Sequence, residues 1–512
     1  MSESDTASTA AVKAKLPKIS IIGYGAGDAA NNLAFTTATM FLLIYYTDVA
    51  GIAAASVGTL FLVLRIFDAF ADVAVGRLVD RVNTKRWGKF RPFILFGSLP
   101  LLLLSVATFH VPQIGQSGML LYAYLTYGLL NIAYSLVNIP YGSLAAAMTQ
   151  NPSERAKLAT ARTIGAVVVG AALGIIVSPL MGAKEGLQGV FTTVTVSFVF
   201  IGMALYLFTA FSTKERVYRK VPHVTMRQSM ATLKGNKPLV LLCLSSLLFL
   251  TGMISMSTAQ IYLMRDVFHA LYLVPILSLG QMVLVFVLAP FVPLLVRKLG
   301  KRTAYVIGSF LGAFGMLAAG VAPNGIVAFV GLFVGMIGVM FVSMLMWAIE
   351  ADTVEYGEWK TGVRTEGITY ALFSFTRKTG QAFGGAVAAY AIGIGGYVAG
   401  TSTLTTQAAW GIRAGAALVP AVFVVAAALV MIAYPLTDRA HARLVAEIEQ
   451  RRQAEDAAAA DILEDEASIV LAGEGVSLET VGPESEAEDV SLSTAAFAAG
   501  KARPRLLGRK RK

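Results

Sequence analysis

The chain has 512 residues, of which 56% are hydrophobic and only 14% charged, whereas a soluble domain carries about 25% charged residues. One cysteine excludes an internal disulfide framework or a multi-cysteine metal site, and four scattered histidines give neither HExxH nor a pair at helical spacing. The net charge of +11 sits in loops between apolar blocks long enough to cross a bilayer, so no nucleic-acid role is read from it and the composition is that of a membrane protein.

Strand-like alternation over about ten residues is absent, which leaves helices rather than a closed barrel. Residues 1–18 are polar and lack the apolar core and cleavage site of a signal peptide. The pattern then predicts twelve spans, near 20–46, 53–80, 92–109, 118–147, 160–182, 189–212, 238–264, 271–296, 303–322, 325–350, 367–398 and 413–435. Span 1 carries Asp28 behind Gly23, Gly25 and Gly27, whose bare backbone permits close helix approach. Span 2 carries Arg65, Asp68 and Asp72 at i, i+3 and i+7, one stripe on one helical face. Span 4 is bent at Pro140 and offers Ser135, Asn138 and Tyr141, the hydroxyl and amide groups that a sugar needs. Span 5 begins near Arg162, and span 11 carries Arg377 and Lys378.

An ionisable side chain at the bilayer centre costs about 2.5–3.5 kcal/mol on insertion scales. Such residues either staple helices together or mark a pathway, and two carboxylates beside Arg65 describe a coupling-ion site. After span 10, the run from Asp352 through Glu355 to Glu358 reads as an acidic turn followed by Arg364. That turn either gates alternating access through salt bridges to basic loops or is a fixed network.

Lys and Arg crowd one side. The end of span 2 and the loop after it hold Arg77, Arg81, Lys85, Arg86, Lys89 and Arg91, residues 214–237 hold seven more, and Arg297, Lys298, Lys301 and Arg302 follow span 8. The other side has Lys184, Arg265 and Arg413. Both termini are therefore expected in the cytoplasm. The chain divides into an N-terminus (1–18), a six-helix bundle (19–212), a central loop (213–237), a second six-helix bundle (238–437) and a tail (438–512) that is largely disordered after a short helix near 438–457. Gly-Lys turns at Trp87–Pro92 and Leu299–Arg302 stand between the second and third helices of each half, as parallel transporter repeats do. No GxSxG, GxxxxGK[ST] or GxGxxG signature supports an enzyme or ATP-driven transport by this chain alone.

The runs Tyr45–Gly51, Arg65–Asp72, Trp87–Pro92, Asn138–Leu144 and Tyr356–Arg364 resemble the glycoside–pentoside–hexuronide:cation symporters, over about residues 20 to 445. Within that family, Tyr122–Tyr127, Met346–Glu358, Phe373–Lys378 and Tyr434–Asp438 are most similar to glucuronide-carrying members. The resemblance implies an all-α major-facilitator fold in a bacterial cytoplasmic membrane. It also implies a monomeric working unit that imports a sugar conjugate by cation symport, with no cofactor beyond the coupling ion.

The resemblance places the cation site at Asp68 and Asp72 with Ser135, and substrate contacts at Asp28, Asn138, Arg162 and Lys378, to which Tyr141 adds a polar contact. Arg65, Arg377, Asp352, Glu355 and Arg364 form the surrounding charge network. Where sodium-using members have an amide and a third carboxylate, this chain has Ala71 and Asn138. Fewer oxygen ligands disfavour Na⁺, so H⁺ is the expected coupling ion. Arg162, or else Lys378, is expected to meet the hexuronate carboxylate, because an Arg fork matches that group in two places. Two other readings are a symporter of a neutral glycoside or pentoside (a xyloside or galactoside) and a membrane sensor whose tail is the output.

Overall fold

The computed structural model describes residues 15–82, 84, 87–149, 151–182, 186–215, 235–362, 366–399, 403–451 and 453–454. Regular structure among them is helical, apart from one bridge between Thr84 and Gly88 inside a turn. The first six spans are α1 (Lys18–Ile44, continued by a π-turn at Tyr45–Val49), α2 (Ala54–Arg81), α3 (Arg91–Thr108), α4 (Gln116–Met148), α5 (Pro152–Ala172, continued to Gly182) and α6 (Leu187–Ser212). The next begin with α7 (Lys237–Tyr262, continued by a π-turn at Leu263–Val267) and a span split into α8 (Val274–Leu288) and α9 (Phe291–Leu299). Then come α10 (Lys301–Gly320), α11 (Gly325–Thr361), α12 (Glu366–Ile394) and a last span made of α13 (Thr406–Arg413) and α14 (Val419–Ile432) joined by a π-turn.

Ten of these twelve spans are long and apolar enough to cross a membrane. The other two, α1 and α12, have the length, at 27 and 29 residues, but Asp28, Asn31 and Asn32 dilute one and Arg377 and Lys378 the other. Those polar side chains are buried or half-buried. The twelve expected spans are thus present, with two corrections. The acidic run Asp352–Glu358 is no turn: α11 continues through it for 37 residues to Gly362, whose φ of +71° ends the helix. At 1.5 Å per residue that helix is far longer than the hydrocarbon core, so its last turns stand outside the lipid. Span 8 is broken before Pro290, which has no N–H to continue the ladder. Helical residues resume at 438 as expected, whereas Arg364, Lys85, Arg86, Lys184, the loop at 216–234 and residues 455–512 lie outside the described residues.

The two Gly-Lys turns are built alike. Gly88 has φ +80° and precedes α3, where the Glu215 carboxylate, just beyond α6, accepts from the Lys89, Phe90 and Arg91 amides at 2.8, 2.8 and 3.2 Å. Gly300 has φ +79° and precedes α10, where the Asp438 carboxylate, just beyond the last span, accepts from the Lys301 amide at 2.8 Å. Each carboxylate satisfies orphan helix-start amides and sits at the positive end of the helix dipole. A Cβ at Gly300 would stand 2.5 Å from Asp438 Oδ2, on top of the strain of about 1–3 kcal/mol that a side chain meets at its φ of +79° and ψ of 155°. Gly300→Ala should therefore lower the melting temperature of the purified protein. Gly170→Ala, a mid-helix site with nothing within 4 Å of the added carbon, should not. Equal melting temperatures for the two variants would contradict this account.

Helices also approach closely where both carry glycine. A Cβ on Gly315 of α10 would lie 2.2 Å from the Gly335 nitrogen of α11, the small-residue packing that lipid-embedded helices use in place of a hydrophobic driving force. Contacts between the first six spans and the last six gather toward the end away from residues 18 and 438. Thr59 bonds Tyr390 at 2.9 Å, Thr258 donates to the Thr39 carbonyl at 3.1 Å, and Gly393 lies against Ala55.

Candidate functional site

The charged stripe of α2 lies on the seam between the two sets of spans. Arg65 Nη1 donates to Asp68 Oδ2 at 3.0 Å. Asp72 receives Ser135 Oγ of α4 at 2.5 Å and Lys378 Nζ of α12 at 2.5 Å. The expectation that both acids share Arg65 is corrected here, because the base on Asp72 arrives from 306 residues away. One carboxylate of the first half is thus held by a hydroxyl of its own half and an ammonium of the other. Arg65 Nη2 and Asp68 Oδ1 are buried without hydrogen-bond partners among the described residues.

A second pair lies in the first half. Arg162 Nε donates to Asp28 Oδ1 at 3.0 Å, and Asn32 Nδ2 donates to Asp28 Oδ2 at 3.1 Å. The Arg162 guanidinium rests 5.2 Å above the Tyr141 ring, which stacks on Tyr24 at 4.7 Å. Tyr141 is fully buried and donates its hydroxyl to the Tyr24 carbonyl at 2.6 Å. It therefore corrects the expectation of a direct polar contact: its hydroxyl is spent inside the bundle, and its ring supports Arg162. Asn138 is half-buried on the same helix and makes no hydrogen bond with described residues. Arg162 and Lys378 keep 37% and 34% of their side chains exposed, so both ion pairs are reachable.

Beside the stripe is a cavity enclosing about 560 Å³ of space free of atoms, part of it open solvent, lined by Phe35, Phe61, Arg65, Tyr127, Asn131 and Gln381 among others. Asn131 and Gln381 were absent from the sequence reading. The signal for them was spacing, since Asn131 stands one turn before Ser135 and Gln381 one turn after Lys378. Tyr134, the neighbour of Ser135 on α4, lies within electrostatic reach of both the Asp28–Arg162 and Arg65–Asp68 pairs.

Among the described residues Arg377 joins no ion pair of the expected charge network. Its guanidinium lies 5.0 Å from the Trp347 ring and 5.6 Å from the Phe373 ring, and Nη1 points to the Met346 sulfur at 3.2 Å. Neighbouring residues on a helix point about 100° apart, so Lys378 reaches α2 while Arg377 turns into α11.

At the end away from residues 18 and 438, Arg265 in the π-turn after α7 bonds Asp48 in the π-turn after α1. Arg265 Nε also donates to Asp266 Oδ1 at 2.7 Å, and its Nη2 donates to the Tyr397 hydroxyl at 3.0 Å. Thr47 and Tyr262 share a further hydrogen bond of 2.7 Å. This cluster ties the two halves together, and sequence reading gave Asp48 and Arg265 no role in the site. The acidic end of α11 does not tie them. Lys301 Nζ donates to both Asp352 oxygens at 2.6 and 2.7 Å, and His441 bonds Glu355 and stands 3.6 Å from Asp352. All four residues belong to the last six spans and the segment after them, so of the two alternatives the fixed brace describes this conformation. Although Asp352, Glu355 and His441 offer donor atoms within 4.8 Å of one another, the Lys301 ammonium already occupies both Asp352 oxygens. Burial pushes the Tyr434 hydroxyl beside this brace well above the usual tyrosine range, with Asp352 and Asp438 adding to the effect.

Twelve helical spans with paired charges in their interior, and a cavity beside Arg65, are the architecture of a polytopic membrane transporter. Residues 23–438 match the model of the MFS/sugar transport protein family, and the chain belongs to that family. It is 45% identical over 451 residues to the glucuronide carrier protein homolog of Escherichia coli (strain K12), covering 86% of this chain and 98% of that one. It is 34% identical to the isoprimeverose transporter of Lactiplantibacillus pentosus, covering 86% and 92%. The fold is similar to that of a bacterial homolog of the human lysosomal transporter Spinster, solved inward-facing and unoccupied, with a TM-score of 0.62 at 14% identity over 83% of this chain and 97% of that one. The chain is thus a major-facilitator transporter of sugar-like substrates and not an enzyme.

Proposed function

We propose that this transporter imports hexuronide glycosides such as glucuronides by proton symport, with both termini in the cytoplasm and the two six-helix halves rocking about the hollow. The observation that carries the coupling is the Asp72 carboxylate held between Ser135 and Lys378. Protonation of Asp72 removes its attraction for Lys378 and so alters a contact between the halves, which is what linking an ion to alternating access requires. Asp68, with an oxygen left over, assists. A sodium ion would need several oxygens and would compete with the Lys378 ammonium for the same carboxylate. Asp28 and Arg162 meet the sugar from the first half, with Asn138 available beside them. The substrate class is supported by the 45% identity to a glucuronide carrier homolog.

Charge counting supplies the test. One hexuronate anion with one proton moves no net charge, so the cycle gains nothing from the roughly 2.3 kcal/mol per charge that 100 mV offers. In proteoliposomes, uptake of labelled glucuronide should follow an imposed pH gradient and ignore a potassium diffusion potential. Strong acceleration by the potential at constant pH would rule out one-to-one proton coupling. The similarity to an isoprimeverose transporter favours a second reading, a neutral glycoside as substrate. Neutral glycosides outcompeting glucuronide for uptake would establish that reading instead.

A further inference from the structure

Among the charged side chains of the spans, Arg65, Arg162 and Lys378 each hold an internal carboxylate: Asp68, Asp28 and Asp72. Arg377 holds none among the described residues, and its one hydrogen bond goes to a thioether, a weak acceptor. A guanidinium without a counter-ion at this depth is costly, and the faces of Trp347 and Phe373 offset only part of that cost.

The surroundings of Arg377 are those of a ligand platform. Trp347 stacks on Tyr370 at 5.7 Å, and the two side chains remain 42% and 51% exposed. The Tyr370 hydroxyl has no hydrogen-bond partner among the described residues. It lies within electrostatic reach of Arg377 and also of Tyr24 in the first half, whose stacking partner Tyr141 carries Arg162. Tyr370 is therefore close to the part of the first half that carries the Asp28–Arg162 pair.

We propose that Arg377, on the Trp347–Tyr370 platform, is the receptor for the substrate's carboxylate and so the residue that selects uronates over neutral sugars. This rests on the hexuronide reading above, and it moves the carboxylate away from Arg162 and Lys378, which already serve internal acids. The anion that Arg377 lacks among the described residues arrives with the substrate, the aromatic faces stack on the sugar or its aglycone, and Asp28 and Arg162 hold hydroxyls from the first half.

The test compares p-nitrophenyl glucuronide with its C6 amide, which has the same shape without the charge, as inhibitors of glucuronide equilibrium exchange. Exchange needs no proton gradient, so coupling defects do not enter. Wild type should prefer the carboxylate by about tenfold or more, the size of a charge-assisted hydrogen bond. Arg377→Gln should bring the ratio near one, and Arg377→Lys should retain only part of it because an ammonium lacks the fork. A merely structural Arg377 would weaken both ligands alike and leave the ratio unchanged, which overturns the proposal. Should the Gln variant fail to fold, the Lys variant decides, since a full wild-type ratio there also overturns it. A wild type that does not distinguish acid from amide removes the hexuronide reading itself, and this inference with it.

Discussion

Asp72→Asn is expected to abolish substrate-driven alkalinisation while leaving substrate exchange measurable. The amide keeps a partner for Ser135, 2.5 Å away in the wild type, but it neither takes up nor releases a proton and leaves Lys378 without its carboxylate. Uphill accumulation under a pH gradient should fall by a hundredfold or more, on the order of a lost coupling step. Exchange should fall less, because the unpaired ammonium disturbs packing rather than chemistry. Adding Lys378→Met to Asp72→Asn removes the stranded charge and should recover exchange relative to Asp72→Asn alone, the non-additivity expected of a contacting pair. Alkalinisation in Asp72→Asn equal to wild type would take Asp72 out of the coupling role. Exchange no better in the double variant would mean that Lys378 is more than a counter-ion.

The second large effect is expected at the opposite end of the seam. Arg265 lies between Asp48 and Asp266 with little exposure, and breaking a buried pair by removing one partner costs about 3–5 kcal/mol. That penalty falls only on the conformation in which Asp48 meets Arg265, since the two acids regain water once the halves part. Arg265→Gln should therefore shift the balance toward opening at the end away from residues 18 and 438, by roughly a hundredfold for about 3 kcal/mol. Thr258, packed against Thr39, is a suitable reporter. With the only native cysteine, Cys243, buried, Thr258→Cys should react with an impermeant maleimide at least tenfold faster in the Arg265→Gln background. Labelling at the parent rate would show that the cluster does not close this end. Net uptake should fall at the same time, because a cycle biased toward one state is slow to return.

Much of this molecule is visible in the linear chain for simple reasons. A bilayer demands about twenty apolar residues per crossing and charges a penalty for every ionised group inside it, so spans and interior charges stand out without any knowledge of contacts. The stripe of Arg65, Asp68 and Asp72 was legible because helical periodicity puts i, i+3 and i+7 on one face. The paired Gly-Lys turns were legible as a repeat, although the carboxylates that cap them, Glu215 and Asp438, were not. The extension of α11 to Thr361 was hidden because polarity ends a hydrophobic block without ending a helix.

Periodicity and partition energies thus settled which residues enter the membrane and which of them are charged. They did not settle who meets whom. Asp72 finds Lys378 across 306 positions and Asp48 finds Arg265 across 217, and no local pattern carries such pairings. Only the packed bundle decided that Asp352 is braced by Lys301 and His441 within its own half, that Tyr141 turns its hydroxyl inward, and that Arg377 meets no acid among the described residues. The physical reason is the short reach of a charge–charge contact: it forms only where tertiary packing brings two side chains within a few ångströms, and a sequence fixes neither the rotation of a helix nor the neighbour it turns toward.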